Sequence, residues 1–268
     1  MDSTGATARS NPVGADQAVI YARQRVVITG VTPEIAEGRY PVKRARGEQV
    51  GVNADIFADS HDLLSARLLV RRHAKDAAWV AFPMQPLVND RWTGSFVVHE
   101  VGQYVYTLQA WVDRFRTWRH DLEKKIQAGQ DVAVDLLVGA QLVEAAAGRT
   151  EGDAAAELRR SAETLREPSD VAERVRTALG RGLLKSMLSR PDLRFATTYA
   201  RQLRVVVERR RARFSSWYEM FPRSAGVQPH QHGTFKDCEN RLSNIAGMGF
   251  DVLYLPPIHP IGTTNRRG

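Results

Sequence analysis

Between Arg25 and Val112, apolar and polar residues alternate over short runs separated by turn-forming residues. The runs are Arg25 to Thr29, Val50 to Phe57, Ala66 to Arg71, Trp79 to Met84, Ser95 to Val98 and Tyr104 to Val112, a pattern that predicts the strands of a sandwich. In the last run Val105, Thr107, Gln109 and Trp111 share one face and Tyr104, Tyr106, Leu108 and Ala110 the other, the two-residue period of a pleated strand. Gly94 and Gly102 are expected at turns or bulges.

After Thr117 the chain becomes rich in Ala, Leu, Glu and Arg, and stays so to about Ser189. Leu122 and Ile126, followed by Val134, Leu137, Val138, Leu142 and Val143, have the spacing of an apolar helical stripe. Asp131 is expected to cap the second helix, and Gly148 and Gly152 to break the chain before a helix from Asp153 to Glu167. Pro168 ends that helix and Ser169 is the expected cap of the next, which runs to about Leu179. Four short helices packed as a bundle are the economical arrangement.

Strand character returns at Gln202 to Glu208, where Leu203, Val205 and Val207 face one way. An isolated strand leaves its edges unpaired, so this one is expected to join the earlier sheet, making the helices an insertion. From Phe214 a third pattern begins: a strand Trp217 to Phe221, a polar loop, a helix Phe235 to Met248, Gly249, and an apolar strand Asp251 to Leu255. This is a β-α-β unit of a parallel sheet. The expected layout is a disordered leader at 1–20, a β-sandwich at 21–116 and 199–213, an inserted helical bundle at 117–198, and at 214–268 the start of a parallel barrel. Closing such a barrel takes roughly 250 residues, so it is expected to be incomplete here.

At 43% hydrophobic and 25% charged residues the composition is that of a globular protein, not a disordered or fibrous one. The longest apolar stretch, Val132 to Ala147, is broken by Asp135 and Glu144 and is shorter than the roughly 20 residues of a membrane span, so no membrane span is expected. Residues 1–17 lack the basic start and apolar run of a secretory signal. Cys238 is the only cysteine, which excludes an intrachain disulfide and suits the cytoplasm. A net charge of +8 favours anionic partners without choosing among nucleic acid, membrane surface and phosphorylated metabolites. Several arginines (Arg159, Arg160, Arg166, Arg174, Arg176) have helical spacing and read as a solvated face. Neither a Walker loop nor a Gly-x-Gly-x-x-Gly motif is present, so no nucleotide cofactor is expected.

Trp217 to Ser224 resembles the first barrel strand of the α-amylase superfamily, and Gly249 to Gly262 its second. The string Leu255-Pro256-Pro257-Ile258-His259-Pro260-Ile261-Gly262, followed by Arg266-Arg267-Gly268, resembles the bacterial maltose 1-phosphate maltosyltransferases. Upstream, Trp92 to Phe96, Trp111 to Asp113 and Trp118 to Lys125 are similar to that family's amino-terminal sandwich and the entry to its helical insert. The resemblance runs from about residue 24 to the end.

The resemblance implies an immunoglobulin-like sandwich with a helical insert, then the first β-α-β unit of a (β/α)8 barrel. It implies retaining transfer of maltosyl units from α-maltose 1-phosphate to the non-reducing end of α-1,4-glucans, by a homodimer without a cofactor and without nucleic acid. Retention needs a nucleophile and an acid/base carboxyl about 5–5.5 Å apart. In this superfamily those residues follow later strands, so they are expected beyond residue 268 and the isolated chain is expected to be inactive.

Within the chain the resemblance implies a donor contact at Arg267, where the family carries a lysine; arginine can fork onto phosphate but differs in reach. His259, between two prolines, and Arg223 are further candidates for substrate binding, with loop fixation as the plainer role of each. His230 and His232 have the spacing of some metal ligands but lack an evident third, so no metal is expected. Trp92, Tyr104, Tyr106 and Trp111 suit either a carbohydrate platform or a sandwich core. Two other readings remain: a non-catalytic dimerisation or glucan-binding module, and another amylase-like hydrolase or branching enzyme.

Overall fold

The structure, a computed structural model, describes residues 24–74, 77–168, 170–259 and 263–264. The leader assigned to 1–20, the Ser169 cap and Arg267 lie outside these described residues. Alternating residues form β1 (Val26–Thr32), β2 (Val42–Ala45), β3 (Gln49–Ala58), β4 (Leu64–Arg72), β5 (Val80–Pro83), β6 (Gln85–Pro86), β7 (Arg91–Val97) and β8 (Gly102–Val112). Then come α1 (Arg114–Gln127), α2 (Ala133–Ala147), α3 (Asp153–Arg166), α4 (Val171–Ala178) and α5 (Arg181–Leu188). The chain continues through β9 (Thr197–Thr198), β10 (Leu203–Glu208), β11 (Trp217–Glu219), α6 (Phe235–Gly247) and β12 (Val252–Tyr254).

One sheet has the order β1-β3-β7-β6; the other runs β2-β10-β8-β4-β5, with β9 also paired to β8. The returning strand β10 therefore does join the earlier sheet. Along β3 every second residue, Val50, Val52, Ala54 and Ile56, is buried, as the two-residue period requires. Phe96 of β7 meets Phe82 of β5 at 6.3 Å and Tyr106 of β8 at 6.0 Å, so side chains of the two sheets face each other. In β8 both faces are covered: Val105, Thr107 and Trp111 are buried along with Tyr106, Leu108 and Ala110.

Gly94 is not at a turn. It lies within β7, where a Cβ would come 2.9 Å from Cγ of Met84, so the absence of a side chain serves close packing.

Helix α1 begins three residues before the predicted change at Thr117, because Asp113 accepts from the Arg116 backbone N–H at 3.0 Å and caps it. Between β8 and β9 the helices number five among the described residues, not four: Gly180 separates α4 from α5, and Arg119 donates to the carbonyls of Ala178, Leu179 and Gly180 around that break. Asp170 caps α4 through the N–H groups of Ala172 and Glu173. Asp131 accepts from Ala133 at 2.9 Å at the start of α2.

The inward face of α2 also differs from the predicted stripe. Leu136, Gly139, Ala140, Val143 and Ala147 point into the helical core, and Val134, Leu137 and Val138 are exposed. The small residues face inward because Trp118 of α1 lies against Gly139, its indole N–H donating to the Asp135 carbonyl at 2.7 Å. Periodicity could not choose between the faces, since both are apolar.

The chain divides into two compact units. Among the described residues, one holds those up to Val42 with those of Gly51–Phe96 and Tyr104–Arg204; the other holds Lys43–Val50, Val97–Gln103 and those from Val205 onward. Among the described residues no helix is long and apolar enough to cross a membrane.

Candidate functional site

The residues singled out for substrate binding follow the strands of the β-α-β unit. β11 and β12 are parallel, with Trp217 opposite Val252, Tyr218 opposite Leu253 and Glu219 opposite Tyr254. Asp251 fixes the entry to the pair: its carboxylate accepts from the Ser216 N–H at 3.2 Å and stands 3.1 Å from the Arg211 guanidinium. Helix α6 starts with a reciprocal capping box, in which Thr234 accepts from the Asp237 N–H and Asp237 accepts from Thr234. The Thr234 backbone N–H, as the largest cause, holds the Asp237 carboxyl below its usual range. Cys238 and Ile245 of α6 then pack with Met220, Ala225, Tyr218 and Leu253 in a small apolar core.

Parallel pairing sends both chains out at the same edge of the unit. The segment after β11 forms a short 3-10 turn, Pro222–Ala225, carrying Arg223, and the segment after β12 carries His259. Both side chains are exposed, and the Arg223 carbonyl accepts from the Gly233 N–H at 2.9 Å, tying down the loop. Glu219 lies within β11, as expected, and is exposed. His230 and His232 are exposed, and among the described residues no group of three His, Cys, Asp or Glu could hold a metal ion. Cys238 is free and buried.

The aromatic candidates divide differently. Trp92, Tyr106 and Trp111 are buried, with the Trp92 indole donating to the Ile56 carbonyl at 3.1 Å and the Tyr106 hydroxyl to the Pro33 carbonyl, so they serve the core. Tyr104 is partly exposed. One polar cluster had no signal in the spacing: Tyr199 donates to Glu34 at 2.7 Å, and Arg201 bridges Glu34 and Glu37. Burial first, then the bond to Glu34, pushes the Tyr199 phenol above its usual range.

Two sheets carrying several helices, followed by a parallel β-α-β unit with Arg223 and His259 exposed at its carboxyl edge, define a multidomain chain of mixed α and β structure. Residues 24–209 match the family model described as alpha-1,4-glucan:maltose-1-phosphate maltosyltransferase, domain N/S, and the chain belongs to that family. Among proteins bearing that name, it is 50% identical to one from Chlorobaculum tepidum over 92% of its own length, and 44% identical to one from Myxococcus xanthus over 91%. A third, maltosyltransferase 1 of Streptomyces coelicolor, is 39% identical over 98% of the chain. The chain spans 36%, 37% and 39% of the length of these relatives, respectively.

Proposed function

We propose that these residues are the amino-terminal part of an enzyme that transfers maltosyl units from α-maltose 1-phosphate to the non-reducing ends of α-1,4-glucans in the cytoplasm, extending a glycogen-like polymer. The observation that carries this is the parallel pair β11 and β12, joined through α6 and preceded by the family's N/S region. On this reading the facing sheets are an immunoglobulin-like sandwich, 117–198 is its helical insert, and 214–268 opens a (β/α)8 barrel. Such barrels place their chemistry at the carboxyl ends of the strands, the edge from which Arg223 and His259 project. Arg223, His259 and Arg267 are then donor-binding residues, the guanidinium groups complementing the phosphate. The nucleophile and acid/base carboxyls belong to later strands of the whole enzyme.

The test is transfer from α-maltose 1-phosphate to maltohexaose, followed by phosphate release and by products two glucoses longer. The 268-residue chain is expected to give neither, and its fusion to the remainder of the Chlorobaculum tepidum relative to give both. Products from the chain alone, or a folded but inactive fusion, count against the reading.

A second role rests on its own observation. Val134, Leu137 and Val138 form an exposed apolar face on α2, which suits association into a homodimer. Light scattering on residues 24–209 is expected to give a discrete dimer that Leu137→Glu disrupts; a monomer at all concentrations counts against it.

A further inference from the structure

A cleft of about 400 Å³ opens where the end of β8 meets the start of α1, beside α2 and the 187–195 segment. Its floor is apolar, with Trp111, Phe115 and Met187 buried beneath it. Its lining is cationic: five arginines against three aspartates.

The aspartates are already engaged. Asp62 accepts from Ser60 at 2.7 Å and Arg25 at 3.3 Å, Asp113 from Ser65 at 2.7 Å, and Asp192 from Arg194 at 2.7 Å. The Arg114 guanidinium is left with no hydrogen bond or ion pair among the described residues. Arg190 bonds only the Ser189 hydroxyl, at 2.9 Å, and the Ser186 carbonyl, at 3.4 Å, so neither meets a carboxylate. The adjoining cleft, which shares Arg114, balances Arg114, Lys124 and Lys125 with Asp62, Asp121 and Asp135. The adjoining cleft therefore does not share the cationic excess.

Low-dielectric walls concentrate such a charge, and arginine forks match phosphate oxygens. The volume is at the small end for ligand pockets, which admits one or two sugar rings and excludes a polymer. We propose that this cleft is a binding site for a phosphorylated sugar, its phosphate held by Arg114 and Arg190. The site is separate from the carboxyl edge of β11 and β12. Its anion preference rests on the cleft alone, and the choice of a sugar body rests on the transferase reading.

The test is calorimetric titration of the 268-residue chain with glucose 1-phosphate, with inorganic phosphate and maltose as separate arms at fixed ionic strength. Glucose 1-phosphate is expected to bind more tightly than either. Arg114→Ala and Arg190→Ala are each expected to weaken it about tenfold, the weight of one charge-assisted hydrogen bond. Arg114→Lys, which keeps the charge but loses the fork, should weaken it less, and Arg159→Ala on an exposed helical face should leave it unchanged. No binding of glucose 1-phosphate overturns the site, as does an equal loss on Arg159→Ala. Inorganic phosphate binding as tightly as glucose 1-phosphate overturns the sugar body. None of these outcomes depends on the fusion enzyme, so failure here and failure of the transfer assay are distinguishable.

Discussion

The Ser65 hydroxyl donates to the Asp113 carboxylate at 2.7 Å, linking β4 to the first turn of α1. The same carboxylate caps α1 through the Arg116 N–H, and the Asp113 N–H donates to the Leu63 carbonyl at 2.8 Å. One side chain thus sets where the strand ends and how the helix departs. Asp113→Ala is expected to cost about 1–2 kcal/mol in urea unfolding, the range for a lost cap, and Asp113→Asn less because an acceptor remains. A double-mutant cycle with Ser65→Ala should show coupling between the two residues; simple additivity would mean that the contact carries no weight.

Gly139→Ala opposes two effects. Alanine favours a helix by about 1 kcal/mol over glycine. Its Cβ, however, would stand 2.0 Å from the Trp118 ring, and the bond to the Asp135 carbonyl anchors that ring. Overpacking of this kind costs about 1–3 kcal/mol, so the variant is expected to melt at a lower temperature than the parent. An unchanged or raised Tm would show that the indole moves aside freely.

Asp192 supplies a pH dependence. The hydrogen bond from Arg194, opposed by burial, holds its carboxyl below the usual carboxylate range in the folded state. A lowered folded-state value contributes stability that is present above the unfolded value of about 3.9 and is lost as the pH falls below it. Asp192→Asn should therefore destabilise the protein near neutrality, and the gap to the parent should close as the pH falls from about 3.9 through the lowered folded-state value. A gap that stays constant through that range would assign the effect to something other than charge.

Amide exchange should separate the two parallel strands from the antiparallel sheet. Among the described residues β12 pairs with β11 alone, and Trp217, Phe221 and Tyr254 are exposed nearby. β8 lies inside a six-stranded sheet. Amides of Val252–Tyr254 are expected to exchange much faster than those of residues 105–111. Equal protection would contradict this.

The long strands and the helical character of 117–189 were legible because their periods persist over several residues. β2, β6 and β9 were not: Thr197–Thr198 and Gln85–Pro86 are too short to show a period, and pairing with β8 and β7 makes them strands. The register of α2 failed for the opposite reason, an excess of apolar residues on both faces. At the site, the positions of Arg223 and His259 after the two strands could be read from the chain order. The arginine cleft could not, since its residues lie as far apart as Arg25 and Arg194 and only the packing of β8, α1, α2 and α5 assembles them.

The short strand β9 sets Thr197 and Thr198 beside Ala110 and Gln109 of β8. The polypeptide therefore departs at Val112 and comes home almost where it left, with five helices strung along the detour. Because the two feet of the loop stand together on one strand, its length is nearly independent of the register beneath it. Whole helices can be gained or shed there over generations while the two facing sheets keep their pairing.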